Sequence, residues 1–169
     1  NVFDNIVFYP ENFSFVSEKS GYNHLYWYSI GGNLLKQVTA GQYEVQEFLG
    51  YDPEEGSFYF SSNEESPMRS AIYKIDRKGK KTRLSSQAGT NSAQFSANMK
   101  YYMNRYSNLD TPTVITLNDN TGKTLATLMD NAALKQEISG YDMPRKEFFT
   151  FQTSDGTTLN GWMMKPADF

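Results

Sequence analysis

The chain has 169 residues, a formal net charge of -3 and no cysteine. Its length suits one domain, or one domain with a piece of another. Because cysteine is absent, neither a disulfide framework nor a thiolate metal site can form. One short basic run at residues 77–81 interrupts an otherwise balanced charge distribution, which argues against a site for nucleic acid or another polyanion.

Aromatic residues make up 15% of the sequence, with 12 Tyr and 12 Phe, and this excess favours strands over helices. No apolar stretch approaches the roughly 20 residues that a membrane-spanning helix needs. Residues 1–5 lack the basic and apolar regions of a signal peptide. The sequence therefore predicts a β-rich chain, without a transmembrane helix, that begins within a longer protein.

Three stretches of the sequence share one plan, in which an aromatic strand, a second strand and a third strand after a glycine-containing turn follow one another. The predicted strands are residues 13–17, 25–30 and 34–39, then 58–62, 71–76 and 81–85, and finally 101–104, 113–117 and 124–128. A further apolar strand precedes the second and third units, at residues 43–51 and 92–96.

The recurrence of this plan about every 44 residues is typical of the four-stranded blades of a β-propeller. A β-sandwich would also produce short strands at regular spacing, but it would not predict the same order of strand, polar loop and turn three times. Closed propellers use about 4–8 blades, so three blades form an incomplete ring. We therefore predict an all-β fold, a partial β-propeller of about three four-stranded antiparallel blades.

The pattern changes after the third unit. Residues 130–138 combine a capping residue with good helix formers and predict a short helix. Met143 and Pro144 then break the chain, and residues 148–152 and 159–165 predict a hairpin around a turn at 154–156, with Pro166 as its stop. We predict that blades occupy residues 1–142, and that residues 143–169 hold a linker and the first hairpin of a different domain.

No catalytic, cofactor-binding or metal-binding residue is predicted. The sole histidine, His24, follows a loop and is expected to hydrogen-bond within the fold rather than to act as a base. The sequence contains no G-x-S-x-G nucleophile motif, P-loop or dinucleotide fingerprint. One histidine and no cysteine leave only carboxylates as metal ligands, and these are not grouped in any known metal-binding pattern.

Two acidic pairs, Glu54–Glu55 and Glu64–Glu65, could in principle bind an ammonium group of a substrate. Each pair lies in a predicted turn, so we expect solvated turn charge instead, as for the basic run at residues 77–81. Trp27 and Trp162 are expected to pack between blades or between domains.

The sequence also resembles a known family. The motifs that carry the resemblance are SEKSGYNHLY, QVTAGQYEV, YFSSNEESP, YSNLDTP, DNAALK and LNGWMMKP, in this order along nearly the whole chain. They are similar to the propeller region of bacterial dipeptidyl peptidase IV proteins, which belong to the prolyl oligopeptidase superfamily of serine peptidases.

This resemblance implies an eight-bladed propeller followed by an α/β-hydrolase domain, with the active site in the cavity between them. It implies release of N-terminal dipeptides that have Pro or Ala as second residue, and a periplasmic or extracellular location. By analogy, the chain holds the last three blades, and residues 143–169 begin the hydrolase domain. The implied partners are a peptide substrate and the protein's own hydrolase domain, without nucleic acid, and a homo-oligomer is possible.

The family's catalytic triad, and the tyrosine of its oxyanion hole, are expected beyond residue 169. The family's substrate-binding Glu pair is expected on an earlier blade, because the context of Glu64–Glu65 matches a later loop. Two alternatives remain open at this point: a stand-alone propeller that binds protein or glycan, and a catalytically inactive homologue that serves as a scaffold. The chain by itself is expected to associate through its exposed blade faces.

Overall fold

The computed structural model describes residues 6–141, 144 and 146–166. Three four-stranded antiparallel sheets follow one another, each with its strands in chain order. Their strands are β1 Val7–Phe8, β2 Asn12–Ser17, β3 His24–Ser29 and β4 Leu34–Gln37; β5 Val45–Asp52, β6 Ser57–Ser62, β7 Ala71–Ile75 and β8 Lys81–Arg83; and β9 Thr90–Phe95, β10 Tyr101–Ser107, β11 Val114–Asp119 and β12 Thr124–Met129. We call these sheets blades 1, 2 and 3, and they confirm the predicted partial propeller.

The first strand of blade 1 has no counterpart in the sequence prediction. β1 spans only Val7–Phe8 and pairs with β2 through Val7 with Ser14 and Phe8 with Phe13. Two residues are too few to show an alternating pattern, so the sequence alone does not reveal this strand. With β1 in place, all three blades have the same four-stranded meander.

The fourth strands of blades 1 and 2 end earlier than predicted. β4 ends at Gln37 and β8 at Arg83, whereas the prediction extended them to Thr39 and Ser85. At these two positions a side-chain hydroxyl, and not a backbone carbonyl of the neighbouring strand, accepts the hydrogen bond of a backbone amide. In blade 1, the Oγ1 atom of Thr39 accepts a hydrogen bond from the Leu25 amide at 2.9 Å, and in blade 2 the Oγ atom of Ser85 accepts one from the Ile72 amide at 3.0 Å.

In blades 2 and 3, the turns between the third and fourth strands are built in the same way, around an aspartate side chain. In blade 2, the carboxylate of Asp76 accepts hydrogen bonds from the amides of Lys78 and Lys80, at 2.9 and 2.8 Å. In blade 3, the carboxylate of Asp119 accepts bonds from the amides of Thr121 and Lys123, at 2.9 and 3.1 Å. An aspartate that bonds the backbone two residues ahead fixes a tight turn, which explains why this spacing recurs.

Blades 1 and 2 pack face to face through an aromatic core. Trp27 of β3 is almost fully buried, and its ring lies 5.1 Å from Phe58 and 4.7 Å from Tyr51, measured between ring centroids. Phe60 and Tyr73 of blade 2 belong to the same cluster. The prediction that Trp27 packs between blades is confirmed.

Blades 2 and 3 share a second, smaller core. Tyr59 of β6 is fully buried, and its ring lies 4.6 Å from that of Phe95 on β9. Ile72, Leu84, Met99 and Tyr102 complete the buried cluster. The two cores together make the three blades one continuous stack of sheets.

The last part of the chain holds one helix and one hairpin. The helix α1 spans Ala132–Ser139, slightly later than the predicted residues 130–138. It begins after Asn131, which has a left-handed backbone conformation, while the Asp130 carboxylate accepts a 3.0 Å hydrogen bond from the Ala132 amide. Of the predicted break, Pro144 is described, whereas Met143 lies outside the described residues.

The hairpin pairs β13 Lys146–Gln152 with β14 Thr158–Met164, close to the predicted bounds. Within the described residues, these two strands contact each other and no other strand or helix. Large apolar side chains are exposed on the hairpin, among them Trp162 at 59% and Phe148 at 47%. The packing partner predicted for Trp162 is therefore not among the described parts of the chain.

Candidate functional site

His24 is a structural residue at the start of β3. It is fully buried, with its Nδ1 atom 3.1 Å from the Oγ1 atom of Thr39 and its Nε2 atom 3.0 Å from the carbonyl oxygen of Gly41. The carbonyl oxygen can only accept a hydrogen bond, so Nε2 is the donor. Nδ1 of the neutral ring then accepts a hydrogen bond from the Thr39 hydroxyl. The ring edge packs on Tyr43 at 5.1 Å between centroids. Both ring nitrogens are therefore occupied, which confirms the expected role as a hydrogen-bonding residue.

The pair Glu64–Glu65 lies in a turn, as predicted, but both carboxylates form ion pairs across strands of blade 2. Glu64 pairs with Lys81 at 2.5 Å and Glu65 with Arg83 at 3.2 Å. The Tyr73 hydroxyl also donates to Glu65 at 3.4 Å. These side chains are each about one-third exposed, and neutralised carboxylates of this kind do not offer a free site for a substrate ammonium group.

The basic run at residues 77–81 forms the turn between β7 and β8 and the first residue of β8. Arg77 donates from Nη2 to the Glu54 carbonyl oxygen at 3.1 Å, and Lys81 is held by Glu64. The turn is exposed, as the sequence predicted.

The pair Glu54–Glu55 belongs to a charged cluster between blades 2 and 3, which we call the inter-blade ion cluster. The Lys100 ammonium lies 3.0 Å from the Asp52 carboxylate and 3.3 Å from each of Glu54 and Glu55. Glu55 also pairs with Lys74 at 2.5 Å. Asp52 is almost fully buried, so one of these carboxylates depends on Lys100 for compensation of its charge.

The contacts of Glu55 favour its ionised form. The hydrogen bond from Lys74 is the largest influence, with further bonds from Asn120 and Lys100, and together they lower the pKa of Glu55 from 4.5 to about 2. The hydrogen bond to Asp52 similarly raises the pKa of Lys100 above its usual value. Lys100 and Asn120 both lie in turns of blade 3, so this cluster ties the two blades together.

Replacing Glu55 with Gln is expected to weaken the acid dependence of stability. Because the folded pKa of about 2 lies below the ordinary value of 4.5, the contribution of this carboxylate is complete above pH 4.5 and is lost as the pH falls toward 2. The urea midpoint of the variant should therefore fall less between these two pH values than that of the unaltered chain. Glu18→Gln, at an exposed loop position, is the matched control and should leave the slope unchanged. Parallel slopes for Glu55→Gln and the unaltered chain would contradict this role.

In the described parts of the chain, no group of three or more His, Cys, Asp or Glu side chains is arranged to hold a metal ion. None of the described helices is long and apolar enough to cross a membrane. The Thr39 hydroxyl lies beside His24, but the other ring nitrogen of His24 bonds the Gly41 carbonyl oxygen and not a carboxylate. Within the described residues, His24 is therefore not part of a nucleophile, base and carboxylate arrangement.

The inter-blade ion cluster was not identified from the sequence. Asp52 and Lys100 are 48 residues apart, and each looks like an ordinary turn residue. The signal that could have found them is the repeat itself: equivalent turns of neighbouring blades lie side by side, so a buried acidic residue in one turn needs a basic residue in the next.

Residues 3–113 match the family model described as "Dipeptidyl peptidase IV (DPP IV) N-terminal region". A crystal structure of Porphyromonas gingivalis dipeptidyl peptidase 4 is similar over 97% of this chain, with a TM-score of 0.93 and 42% sequence identity. A "Probable dipeptidyl peptidase 4" of Aspergillus flavus is 31% identical over 91% of the chain, and the dipeptidyl peptidase 4 of Trichophyton rubrum is 28% identical over the same share.

The chain spans 20% of the length of each of these fungal relatives and 24% of the P. gingivalis chain. The family model nevertheless covers well over half of the chain, and it matches blades 1 and 2 and the first two strands of blade 3, β9 and β10. The chain therefore belongs to the dipeptidyl peptidase IV N-terminal region family.

Proposed function

We propose that this chain is a non-catalytic propeller segment of a serine-type dipeptidyl peptidase that releases N-terminal dipeptides with Pro or Ala as second residue. The observation that supports it best is the likeness to P. gingivalis dipeptidyl peptidase 4, at a TM-score of 0.93 over 97% of the chain. Both histidine nitrogens and most acidic side chains in the described turns already have partners, so the chain's own residues are best suited to a structural role.

In this proposal the blades wall the chamber in which the peptide binds. Stacked sheets with a continuous core are rigid, and a rigid wall excludes folded proteins and holds the end of a peptide in position. The acyl-transfer chemistry belongs to a serine, histidine and carboxylate in the hydrolase domain, where backbone donors stabilise the oxyanion.

The proposal assigns residues 1–142 to the propeller and 143–169 to a linker and the start of the hydrolase domain. The hairpin supports this division because both of its faces carry apolar side chains. Phe148 and Trp162 pair on one face, and Phe151 and Leu159 pair on the other. A hairpin that is apolar on both faces needs cover on both sides, as in the interior of an α/β domain.

The activity is tested with the full-length gene product and two chromogenic amides, Gly-Pro and Ala-Pro p-nitroanilide. Cleavage that is blocked by a serine-directed phosphonate, with Gly-Gly p-nitroanilide as the poor-substrate control, is the expected result. A well-folded full-length protein that cleaves neither amide would rule the proposal out and favour a scaffold or a binding module. Cleavage that the phosphonate does not inhibit would contradict the serine-type mechanism but would leave the proposed dipeptidyl peptidase activity standing.

A periplasmic or extracellular location belongs to the same proposal and is supported by the family resemblance alone. Protease treatment of intact cells, followed by lysis, tests it. Protection of the full-length protein in cells with permeabilised outer envelopes would contradict that location.

The 169-residue chain by itself is expected to self-associate through its exposed blade faces. Phe8 on blade 1 is 67% exposed, and Tyr101 and Met103 on blade 3 are 48% and 38% exposed. Apolar sheet faces of this kind bind one another when no neighbouring blade covers them. Sedimentation should show concentration-dependent oligomers.

The matched test replaces Phe8 and Met103 with Glu, which places charge on both outer faces. The doubly substituted chain should shift toward the monomer, whereas Lys78→Glu, in an exposed turn, should not. A single sharp monomer boundary at high concentration for the unaltered chain would contradict the prediction.

A further inference from the structure

A polar cleft lies between the end of blade 2 and the facing side of blade 3. It has a volume of about 510 Å³, within the range of about 300–1,000 Å³ that small-molecule sites occupy. Residues 85–87 form one wall, and β10, β11 and β12 form the floor and the other wall. The side chains used below are Asn104, Tyr106, Thr116, Asn118, Thr124 and Thr127, all of which line it.

The strand register shows that the face of blade 3 turned toward blade 2 is more polar than the face of blade 2 turned toward blade 1. In blade 2, Phe60 pairs with Tyr73 and Phe58 with Ile75, and these side chains fill the gap to blade 1. In blade 3, the pairs at the corresponding places of the ladder are Asn104 with Thr116 and Tyr102 with Asn118. Three of the four apolar positions thus become polar or smaller.

This exchange leaves a buried amide oxygen of blade 3 without a partner at the cleft. Asn104 is 92% buried as a residue, and its Nδ2 atom donates to the Asn91 Oδ1 atom at 3.1 Å. Its own Oδ1 atom is buried without a hydrogen-bond partner in the described structure. An unpaired buried amide oxygen costs roughly 1–3 kcal/mol in proteins, so such groups commonly mark sites with another purpose.

The wall of the cleft is an ordered row of hydroxyl and amide groups. The Nδ2 atom of Asn118 donates to the Thr116 hydroxyl at 2.8 Å, and the Thr124 hydroxyl donates to the Asn118 Oδ1 atom at 2.8 Å. Thr124 and Thr127 are exposed to the cleft and to solvent. Each threonine oxygen keeps a lone pair that can accept a hydrogen bond from a ligand.

Tyr106 provides a flat surface at the end of this row. The residue is half-buried. Its hydroxyl accepts a 2.8 Å hydrogen bond from the Asn108 side chain and donates one to the Ala88 carbonyl oxygen at 3.3 Å. These two contacts hold the ring in place. A fixed aromatic ring beside hydroxyl and amide groups can pack against the apolar C–H face of a polar ring while the groups around it bond its rim.

We propose that this cleft binds a neutral saccharide, with the sugar hydroxyls on the threonine and asparagine row and one sugar face on Tyr106. None of the side chains that line the cleft carries a charge, which disfavours phosphate, carboxylate and ammonium ligands. Dense neutral donors and acceptors match a ligand that has a hydroxyl on nearly every carbon. A hexose ring, either free or at the end of a glycan, fits this chemistry.

A peptide is the less favoured ligand. An extended peptide commonly binds by adding a strand to a sheet edge and placing alternate side chains in pockets. The cleft is lined by side chains of the sheet face. Its apolar and aromatic lining consists of four residues, Leu84, Tyr102, Tyr106 and Val114, among eleven others that are polar or glycine.

Saturation-transfer NMR on the full-length gene product tests the proposal, because the method suits weak ligands of large proteins and does not depend on peptidase activity. The probes are glucose, galactose, mannose and N-acetylglucosamine, each as the free sugar and as the methyl glycoside. Signal from at least one sugar is expected, and equal signal from its methyl glycoside would point to the end of a glycan, whereas signal from the free sugar alone would point to a free saccharide.

Two variants locate the binding. Thr127→Tyr puts a large ring into the cleft, and Thr124→Val removes one hydroxyl with little change in shape; both positions are exposed, so the fold should persist. Thr127→Tyr should abolish the signal, and Thr124→Val should weaken binding roughly tenfold. The matched control is Lys78→Tyr, because Lys78 lies in the exposed turn between β7 and β8 and does not line the cleft.

The proposal is wrong if none of the sugars gives a signal, or if Thr127→Tyr and Lys78→Tyr reduce the signal equally. It is also wrong if a neutral peptide such as Gly-Ser-Gly, but no sugar, gives a signal that is sensitive to Thr127→Tyr. Loss of the sugar signal in Thr127→Tyr with cleavage of Gly-Pro p-nitroanilide unchanged would place the saccharide site apart from the proposed peptidase function.

Discussion

Replacing Trp27 with Ala is expected to lower the free energy of unfolding of the chain by about 3–5 kcal/mol. Trp27 is only 8% exposed and touches three aromatic rings, those of Tyr9, Tyr51 and Phe58, with centroids 4.7–5.1 Å away. Alanine would leave a cavity between blades 1 and 2 that rigid sheets cannot close. Urea unfolding followed by far-ultraviolet circular dichroism measures the change.

Trp162→Ala is the matched control, since it removes the same side chain from a different setting. Trp162 is 59% exposed in the chain, and the Lys146 ammonium lies 4.8 Å from its ring centroid. Such an exposed cation–π contact is worth only about 0.5–1 kcal/mol. Equal losses for the two variants would contradict the assignment of Trp27 to the inter-blade core.

The same control has a second use in the full-length protein. If residues 146–166 begin a hydrolase domain, Trp162 is covered there, and Trp162→Ala should become far more destabilising than in the chain alone. An effect that stays small in both settings would count against the proposed domain division. The pair of measurements thus separates the packing of the blades from the identity of the hairpin.

The blades were predictable because each carries its own copy of a pattern. Aromatic strands such as 13–17 and 58–62, the glycine-containing turns and the polar loops recur at one spacing, and local pattern and fold agree in every copy. The hairpin was predictable for the same reason, since apolar strands flank a clear turn at residues 154–156. In these elements the information lies within about ten consecutive residues.

Contacts between blades were the part that the sequence did not reveal. Asp52 and Lys100 look like solvated turn charges, yet they meet at 3.0 Å because equivalent turns of adjacent blades lie together. Such pairs depend on the distance between two sheets, which no local periodicity encodes.

The polar cleft was missed for a related reason. Asn104 and Asn118 alternate with larger residues along their strands, which by itself predicts that they face solvent. The structure places both on the side that faces blade 2, and both are more than nine-tenths buried. Which face of a strand is covered was decided by the neighbouring blade, and the pattern of the strand alone could not decide it.

Gly122→Ala is expected to loosen the contact between blades 2 and 3. Gly122 has a φ of +92°, which costs an alanine about 1–2 kcal/mol. A Cβ atom there would also lie 2.8 Å from the carbonyl oxygen of Leu84 and 3.1 Å from its Cα atom. These are backbone atoms and cannot rotate away, so overpacking adds about 1–3 kcal/mol. Urea unfolding should show the sum of both effects.

Gly79→Ala isolates the conformational part of this loss. Gly79 occupies the equivalent turn of blade 2 with a φ of +85°, and a Cβ atom there would meet nothing within 4 Å. The free energy of unfolding of Gly79→Ala should therefore fall only by the conformational part, about 1–2 kcal/mol. Hydrogen exchange should quicken in β8 and β10 for Gly122→Ala alone, because the clash is with the backbone at the end of blade 2. Equal losses in both variants, with no change in exchange at β8, would mean that blades 2 and 3 do not approach this closely at Leu84.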